Sequence, residues 1–156
     1  MALPVTISGA TFPKRNCFIG PFKSSGGNFY AILIDTTSSK FAAYKATDPT
    51  SSFSEVDAAN RPTTVFGLPV NMSVLQNGDV LRISCSVRYG DFNMATDTWG
   101  NKDVVIPDGT GVQRSGSTAV RSDASLIHLL NGVAEAVHGT SYARVSYIKS
   151  TDGGAT

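Results

Sequence analysis

Residues 77–87 read NGDVLRISCSV and combine a glycine turn with alternating apolar and polar side chains. Asn-Gly is the strongest short signal for a β-hairpin, because both central residues of a type I′ turn need a positive φ. Alternation with a period of two is typical of a strand that has one face in a core. The stretch therefore predicts a turn at Asn77-Gly78, followed by a strand over residues 80–87.

Turns of the same kind recur along the chain. A second Asn-Gly pair lies at Asn131-Gly132, and a Gly-Gly pair lies at Gly26-Gly27. About 20 residues beyond each turn comes an aspartate preceded by a threonine, so the sequence repeats with a period of about 50 residues. These aspartates are Asp48, Asp97 and Asp152. A period of this length indicates repeated supersecondary units.

Each unit is predicted to consist of β-strands. Apolar or alternating runs cover residues 29–34, 40–45, 72–75, 80–87, 89–94, 126–130, 133–138 and 142–149, and residues 103–106 are a candidate outer strand. A further turn is predicted at Gly139-Thr140, and the best candidate helix, residues 125–137, is interrupted by Asn131-Gly132. The expected fold class is all-β, with about three four-stranded antiparallel blades of a β-propeller. A β-sandwich or jelly roll is the alternative.

Composition and charge narrow the possible partners and cofactors. The 156 residues carry 13 Lys+Arg and 12 Asp+Glu, which leaves a net charge of +1. A near-neutral chain lacks the basic footprint of a nucleic-acid-binding protein, so no nucleic acid is expected as a partner. No apolar run approaches the ~18–20 residues of a membrane helix, so no membrane insertion is expected. Cys17 and Cys85 are predicted to be free thiols rather than a disulfide, and no pattern of Cys and His predicts a metal or a cofactor.

Residues 150–156 read STDGGAT, which resembles the Asp-box S-x-D-x-G-x-T-W at every position before the final Trp. Residues 46–53 and 95–100 resemble degenerate copies, with Phe53 in the Trp position of the first and an early Trp99 in the second. Asp-boxes mark the BNR repeats of sialidase-like β-propellers. The resemblance implies that family for the chain from about Phe18 to its end.

In that family the box is a turn between two strands of one blade, on the rim away from the substrate cavity. The Asp carboxylate and the hydroxyl bond to the backbone of the turn itself, and the aromatic residue packs between blades. The resemblance therefore implies structural roles for Asp48, Phe53, Asp97, Trp99, Ser150, Asp152, Gly154 and Thr156.

Sialidase-type catalysis requires three Arg around the substrate carboxylate, a Tyr nucleophile paired with Glu, and an Asp. The family's Arg-Ile-Pro or Arg-Leu-Pro motif is missing ahead of the first box, and Arg61-Pro62 lacks the middle apolar residue. No catalytic residue is therefore assigned, and catalysis is not favoured. Arg82 and Arg144 are interpreted as residues on solvated strand faces. Glu55 is expected at the surface, and Glu135 is expected to be exposed or paired. His128 and His138 are interpreted as structural.

Three functions remain open at this stage. The first is a non-catalytic structural or adhesive propeller of a phage or virus particle, which the opening GPFKSSGGNFY at residues 20–30 also resembles. The second is a fragment of a sialidase-type exo-glycosidase. The third is a glycan-binding module in which Tyr30, Tyr89 or Trp99 stacks on sugar rings. The expected partners are further copies of the chain, other particle proteins, or glycans.

The repeats predict an N-terminal leader or closing strand at 1–17 and blade-like repeats at 18–63, 64–112 and 113–156. The leader has no basic and apolar signal-peptide pattern, so synthesis in the cytoplasm and, for a particle component, location in the virion are expected. Closed propellers typically have about four to eight blades. The expectation is therefore that the third repeat is truncated and that more chain, or several copies, completes the ring.

Overall fold

The computed structural model describes residues 18–35, 38, 40–63, 72–85, 88–100, 104–105, 115–120, 127–137 and 140–150. These residues form β-strands and a single turn of 3₁₀ helix at Ala58–Asn60, which confirms the all-β class. The strands are β1 (Phe18–Lys23), β2 (Phe29–Asp35), β3 (Lys40–Ala46), β4 (Ser54–Val56), β5 (Met72–Asn77), β6 (Val80–Cys85), β7 (Arg88–Asn93), β8 (Thr98–Trp99), β9 (Val104–Val105), β10 (Ser115–Val120), β11 (Ile127–Val137) and β12 (Thr140–Ser150).

The strands form three antiparallel sheets, each built from consecutive segments of chain. Sheet I has the order β1-β2-β3-β4, and sheet II has the order β5-β6-β7-β8. In sheet II, β8 and β9 both pair with the same edge of β7. Strand β8 pairs with the last two residues of β7, and β9 pairs with its first two. Sheet III has the order β10-β11-β12. Within each sheet, every strand except β9 therefore lies beside its neighbour in sequence, which is the arrangement that short hairpin connections favour.

The apolar runs of the first two repeats form strands where alternation predicted them. Strands β2, β3, β5, β6 and β7 cover those runs, and β9 covers part of residues 103–106. No sequence pattern predicted β1, β4, β8 or β10. Two of these, β4 and β8, are only three and two residues long, which is too short for a period of two to be visible.

The hairpin after β5 is confirmed, but its turn lies one residue later than predicted. Asn77 still pairs with Val80, so the two turn residues are Gly78 and Asp79. Gly78 has φ 58°, and no positive φ occurs at Asn77 or Asp79. This pattern fits a type II′ turn rather than type I′. In the shifted turn only Gly78 needs a positive φ, and glycine adopts one without a steric penalty.

The predicted turn at Asn131-Gly132 is wrong. Both residues lie inside β11, where Asn131 pairs with Gly116 and Ser146, and Gly132 pairs with Ser115 and Val145. The chain instead reverses between Val137 and Thr140, which face each other. A central strand satisfies its backbone groups on both sides, and this outweighs the local preference of Asn-Gly for a turn.

Sheets I and II pack face to face around one apolar core. Alternate residues of each strand point into this core, as the period-two pattern requires. Tyr30, Ile32, Phe41, Leu81, Ile83 and Phe92 are all fully buried. The complete cluster comprises Tyr30, Ile32, Ile34, Phe41 and Ala43 from sheet I with Leu81, Ile83, Phe92, Met94 and Trp99 from the sheet II side. Full burial of one such large side chain stabilises the fold by about 1.5–3 kcal/mol.

The opposite face of sheet I is buried as well. A second cluster there contains Ala31, Leu33, Ala42, Tyr44, Ala46 and Phe53. Because both faces of β2 and β3 are buried, their sequences are almost continuously apolar rather than alternating. Sheet I is therefore an interior layer of the fold.

Candidate functional site

Asp48 lies in the exposed turn between β3 and β4 and acts within that turn. Its Oδ1 accepts hydrogen bonds from the Thr50 backbone N–H at 2.7 Å and from the Thr50 hydroxyl. Its carbonyl accepts a bond from the Ser51 backbone N–H at 3.0 Å. The bonds from the Thr50 hydroxyl and amide lower the pKa of the Asp48 carboxyl. This is the geometry of an Asx-turn.

Asp97 lies in the turn between β7 and β8 and reaches across to sheet I. Its Oδ1 accepts a hydrogen bond from the Tyr30 hydroxyl at 2.7 Å, and its Oδ2 forms an ion pair with Lys45 Nζ at 2.5 Å. Tyr30 comes from β2 and Lys45 from β3, so one carboxylate holds two strands of the other sheet. Asp97 has φ 56°, a left-handed conformation that Asp adopts more readily than most residues.

The Tyr30 hydroxyl is fully committed to this contact. The hydroxyl oxygen also lies 2.7 Å from the Met94 carbonyl oxygen, so its single proton is shared between two acceptors. Burial, together with the bond to Asp97, raises the pKa of the Tyr30 phenol far above its ordinary value. The ammonium of Lys45 lies 5.8 Å from the centre of the Tyr30 ring, which adds a cation–π contact. Tyr30 is consequently a neutral, buried cross-link between the sheets.

The aromatic residues of the first two box-like stretches are both buried, on different faces of sheet I. Phe53 belongs to the outer cluster with Leu33 and Tyr44. Trp99 lies in the core between the sheets, with its ring centre 5.1 Å from that of Phe92 and 6.4 Å from that of Phe41. The Trp99 backbone N–H also donates to Asp57 Oδ2 at 2.9 Å, which ties the edge of sheet II to the end of sheet I.

A second connection between the sheets joins two hairpin turns. Asp79, in the β5–β6 turn, accepts hydrogen bonds from the Ser25 backbone N–H at 2.6 Å and from the Ser25 hydroxyl. Ser25 belongs to the β1–β2 turn. Gln76 Nε2 donates to the Lys23 carbonyl at 2.7 Å, and the Met94 N–H donates to the Asp79 carbonyl at 2.7 Å. We call the set Ser25, Gln76, Asp79, Met94 and Asp97 the turn cluster.

Of the turn cluster, only Asp97 was named from the sequence; the contact between Asp79 and Ser25 was not predicted. Asp79 follows the glycine that marks the hairpin, and Ser25 precedes another glycine turn, so both could be recognised as turn residues. Their contact spans 54 residues of sequence. A separation of that length is decided by the packing of the two sheets, and no local pattern indicates it.

Arg61 occupies the outer face of sheet I, away from the turn cluster. Its guanidinium lies 2.8 Å from Asp35 Oδ2 and 3.1 Å from Glu55 Oε1. Glu55 is therefore half-buried and ion-paired, and its interpretation as a surface residue was wrong. Burial, followed by the nearby Glu55 charge, raises the pKa of the Tyr44 phenol. A Tyr, a Glu and an Arg therefore lie together here, with Tyr44 only 4% exposed.

Arg82 and Asp91 form a largely buried ion pair on the face of sheet II that is turned away from sheet I. They are cross-strand partners, with Arg82 Nη1 3.0 Å from Asp91 Oδ2 and side chains only 12% and 10% exposed. Arg82 also donates to the Tyr89 hydroxyl at 3.3 Å. Burial raises the pKa of Tyr89 to about 12. The expectation that Arg82 lies on a solvated face was wrong.

The three aromatic residues suggested for sugar stacking are inaccessible. Tyr30, Tyr89 and Trp99 are 0%, 1% and 6% exposed. A sugar ring needs an open aromatic face, which none of these residues presents. Glycan binding through these residues is therefore excluded.

Several predicted residues fall outside the described side chains. Ser150 ends β12 and pairs with Ile127, His128 pairs with Ala119 and Lys149, Glu135 pairs with Tyr142, and Arg144 pairs with Val133, all at the level of the backbone. The remaining ones lie outside the described residues altogether: Cys17, His138, Asp152, Gly154 and Thr156. Cys85 ends β6.

Neither a metal cluster nor a membrane-spanning helix occurs in the part of the chain that the structure describes. There, no three His, Cys, Asp or Glu side chains come close enough together to hold a metal ion. No helix among those residues has the length and apolar character needed to cross a membrane. Comparison of the chain with protein-family models, curated proteins and solved structures gave no match.

Proposed function

We propose that this chain is a non-catalytic structural or receptor-binding protein of the β-propeller type that serves as a component of a phage or virus particle. The observation that carries the proposal is that charged side chains pair with one another inside the protein. The charged side chains around sheets I and II connect strands and sheets to one another, through Asp97 with Lys45, Arg61 with Asp35, and Arg82 with Asp91. Such a distribution supports a scaffold.

The arrangement of the sheets supports the propeller in preference to a sandwich. Sheets I and II are each a meander of consecutive strands, whereas sandwiches commonly use Greek-key connections that cross between sheets. The first strand of each sheet lies near the first strand of the next, β1 near β5 and β5 near β10. Blades around a common axis have this relation. The burial of both faces of sheet I agrees with its being one blade among several.

Two further observations support the particle assignment. The chain is close to neutral and rich in Ser, Thr and Gly, a composition suited to strands and tight turns. The stretch at residues 20–30, which resembles phage proteins, forms β1, the Gly26-Gly27 turn and the start of β2. In the structure these residues dock sheet I onto sheet II through Ser25. The proposed partners are other copies of this chain or other particle proteins.

The decisive experiment is quantitative mass spectrometry of purified particles from the source of this gene. We expect the protein at a fixed copy number per particle, together with a ring-shaped assembly in electron micrographs of the purified protein. Absence from washed particles would contradict the particle role. A closed two-sheet sandwich in an experimental structure would contradict the propeller.

The alternative function is a sialidase-type exo-glycosidase fragment, and it is tested separately. Turnover of a fluorogenic sialoside by the purified chain would favour the glycosidase and contradict the non-catalytic proposal. Glycan-array binding without turnover would favour a receptor-binding role, with contacts from side chains other than Tyr30, Tyr89 and Trp99.

A further inference from the structure

We propose that Asn77-Gly78 is a site of spontaneous covalent modification, at which deamidation of Asn77 loosens the contact between sheets I and II. The chain contains two Asn-Gly pairs, Asn77-Gly78 and Asn131-Gly132. By sequence alone they are equivalent. The structure places them in opposite environments, and this difference carries the proposal.

The chemistry requires a free backbone nitrogen after the asparagine. The Gly78 nitrogen attacks the side-chain amide carbon of Asn77, a C–N bond forms, and the amide nitrogen leaves as ammonia. Solvent water then opens the resulting five-membered imide at one of its two carbonyls. One opening gives aspartate, and the other gives isoaspartate, in which the main chain runs through the side-chain carbon. Atoms balance with water as the only co-reactant.

The hairpin turn exposes Gly78 to this reaction. Asn77 is the last paired residue of β5, and Gly78 lies outside the ladder in a two-residue turn. Gly78 is exposed, and no heavy atom lies within 4 Å of the position that a Cβ would occupy. The attacking nitrogen therefore belongs to an exposed residue outside the hydrogen-bonded ladder of the sheet.

The second Asn-Gly pair is protected by its position in the middle of a sheet. Gly132 lies within the central strand β11 and pairs with Ser115 on one side and with Val145 on the other. In the central strand of an antiparallel sheet each backbone amide points to one neighbouring strand or the other. Reaction at Asn131 therefore requires the opening of sheet III.

The modification would act directly on the turn cluster. Asp79 follows Gly78 and binds the Ser25 amide and hydroxyl, and its carbonyl binds the Met94 amide. Isoaspartate adds a carbon to the main chain immediately before this turn and displaces Asp79 from Ser25. Either product also adds a negative charge two residues before the Asp79 carboxylate, and like charges repel each other. The contact between the sheets therefore weakens as the protein ages.

The test is peptide mapping by mass spectrometry of the full chain during incubation in mildly alkaline buffer at physiological temperature. We expect conversion at Asn77 to be at least about tenfold faster than at Asn131, because Asn131 reacts only when its strands open. In denaturant the two sites should convert at similar rates. Equal rates in the folded protein, or no conversion at Asn77, would overturn the proposal.

The structural consequence is tested with hydrogen exchange and a matched variant. In the aged wild-type protein the Ser25 amide should exchange faster than in fresh protein. Asn77→Gln retains an amide side chain but forms the corresponding six-membered imide far more slowly, so its Ser25 amide should keep its original exchange rate. An equal rise in both proteins would separate the loosening from the modification and contradict this part of the proposal.

Discussion

At the scale of the residue, two aspartates in equivalent turns perform different tasks. Asp48 binds the amide and hydroxyl of Thr50, two residues further along its own exposed turn. Asp97 instead binds Tyr30 and Lys45 of the neighbouring sheet. The two turns share Ala-Thr-Asp but differ in the next two residues, and only Asp48 has a Thr two residues further on. The difference therefore comes from these residues as well as from what is packed against each turn. Asp97 should consequently matter more for stability than Asp48.

Replacing Asp97 tests this difference. Asp97→Asn keeps an acceptor for Tyr30 and tolerates the left-handed backbone, so it should lose only the half-exposed ion pair, below about 1 kcal/mol. Asp97→Ala should lower the free energy of unfolding by about 2 kcal/mol, because it removes charged hydrogen bonds to both partners. Urea denaturation followed by the fluorescence of Trp99, the single tryptophan, provides the measurement. Asp48→Ala serves as the control, and a loss equal to that of Asp97→Ala would contradict the assignment.

Gly100 packs directly against Asp91 of the buried Arg82–Asp91 pair, which leaves no room for a side chain at this position. A Cβ at Gly100 would overlap Asp91 Oδ1. Gly100→Ala should therefore displace Asp91 from Arg82 and lower the free energy of unfolding by about 2 kcal/mol. Gly26→Ala is the matched control, since a Cβ there meets only ordinary contacts at 3.8 and 3.9 Å. Equal stabilities of the two variants in urea would show that Asp91 moves without cost.

At the scale of the element, hairpin turns join the sheets as well as their own strands. The β5–β6 turn bonds to the β1–β2 turn through Asp79 and Ser25. The chain beyond β7 bonds to the β5–β6 turn, because the Met94 amide donates to the Asp79 carbonyl. Turn residues ordinarily vary freely at a surface. Here their polar groups have partners in another element, so the turns contribute to the assembly of the two sheets.

The contact between Asp79 and Ser25 should depend on pH. Hydrogen bonds from the Ser25 hydroxyl and amide lower the pKa of Asp79. A depressed carboxyl pKa contributes stability that is present above its unfolded value of about 3.9 and is lost as the pH falls through the folded pKa. The wild-type free energy of unfolding should therefore fall below about pH 4, and Asp79→Asn should show a shallower fall. Chemical denaturation across this range measures both slopes, and identical slopes would remove Asp79 from the acid response.

At the largest scale, sheets I and II share one apolar core and should therefore unfold together. Their shared core contains residues from both, and Asp97, Asp79 and Asp57 add polar connections around it. Neither sheet could bury these apolar side chains alone. A defect made in sheet II should therefore be felt in sheet I.

Leu81→Ala tests this coupling, because Leu81 is fully buried between the sheets. The cavity should lower the free energy of unfolding by about 3 kcal/mol. Amide exchange should accelerate at Ile32 and Phe41 in sheet I as well as within β6. Thr47→Ala, at an exposed position, should leave both unchanged. Acceleration confined to sheet II would mean that the sheets unfold separately.

The sequence by itself determined the class of the fold and most strands of the first two repeats. Period-two alternation and the glycine that takes a positive φ are local properties, so residues 72–85 could be interpreted as a hairpin without any knowledge of their neighbours. Tertiary structure decided the rest. The two Asn-Gly pairs share one local preference, yet only Asn77-Gly78 lies at a turn, because β10 and β12 hold Asn131-Gly132 inside a sheet. The partners of Arg82, Glu55 and Asp97 likewise depend on packing, since electrostatic contacts follow distance in space rather than distance along the chain.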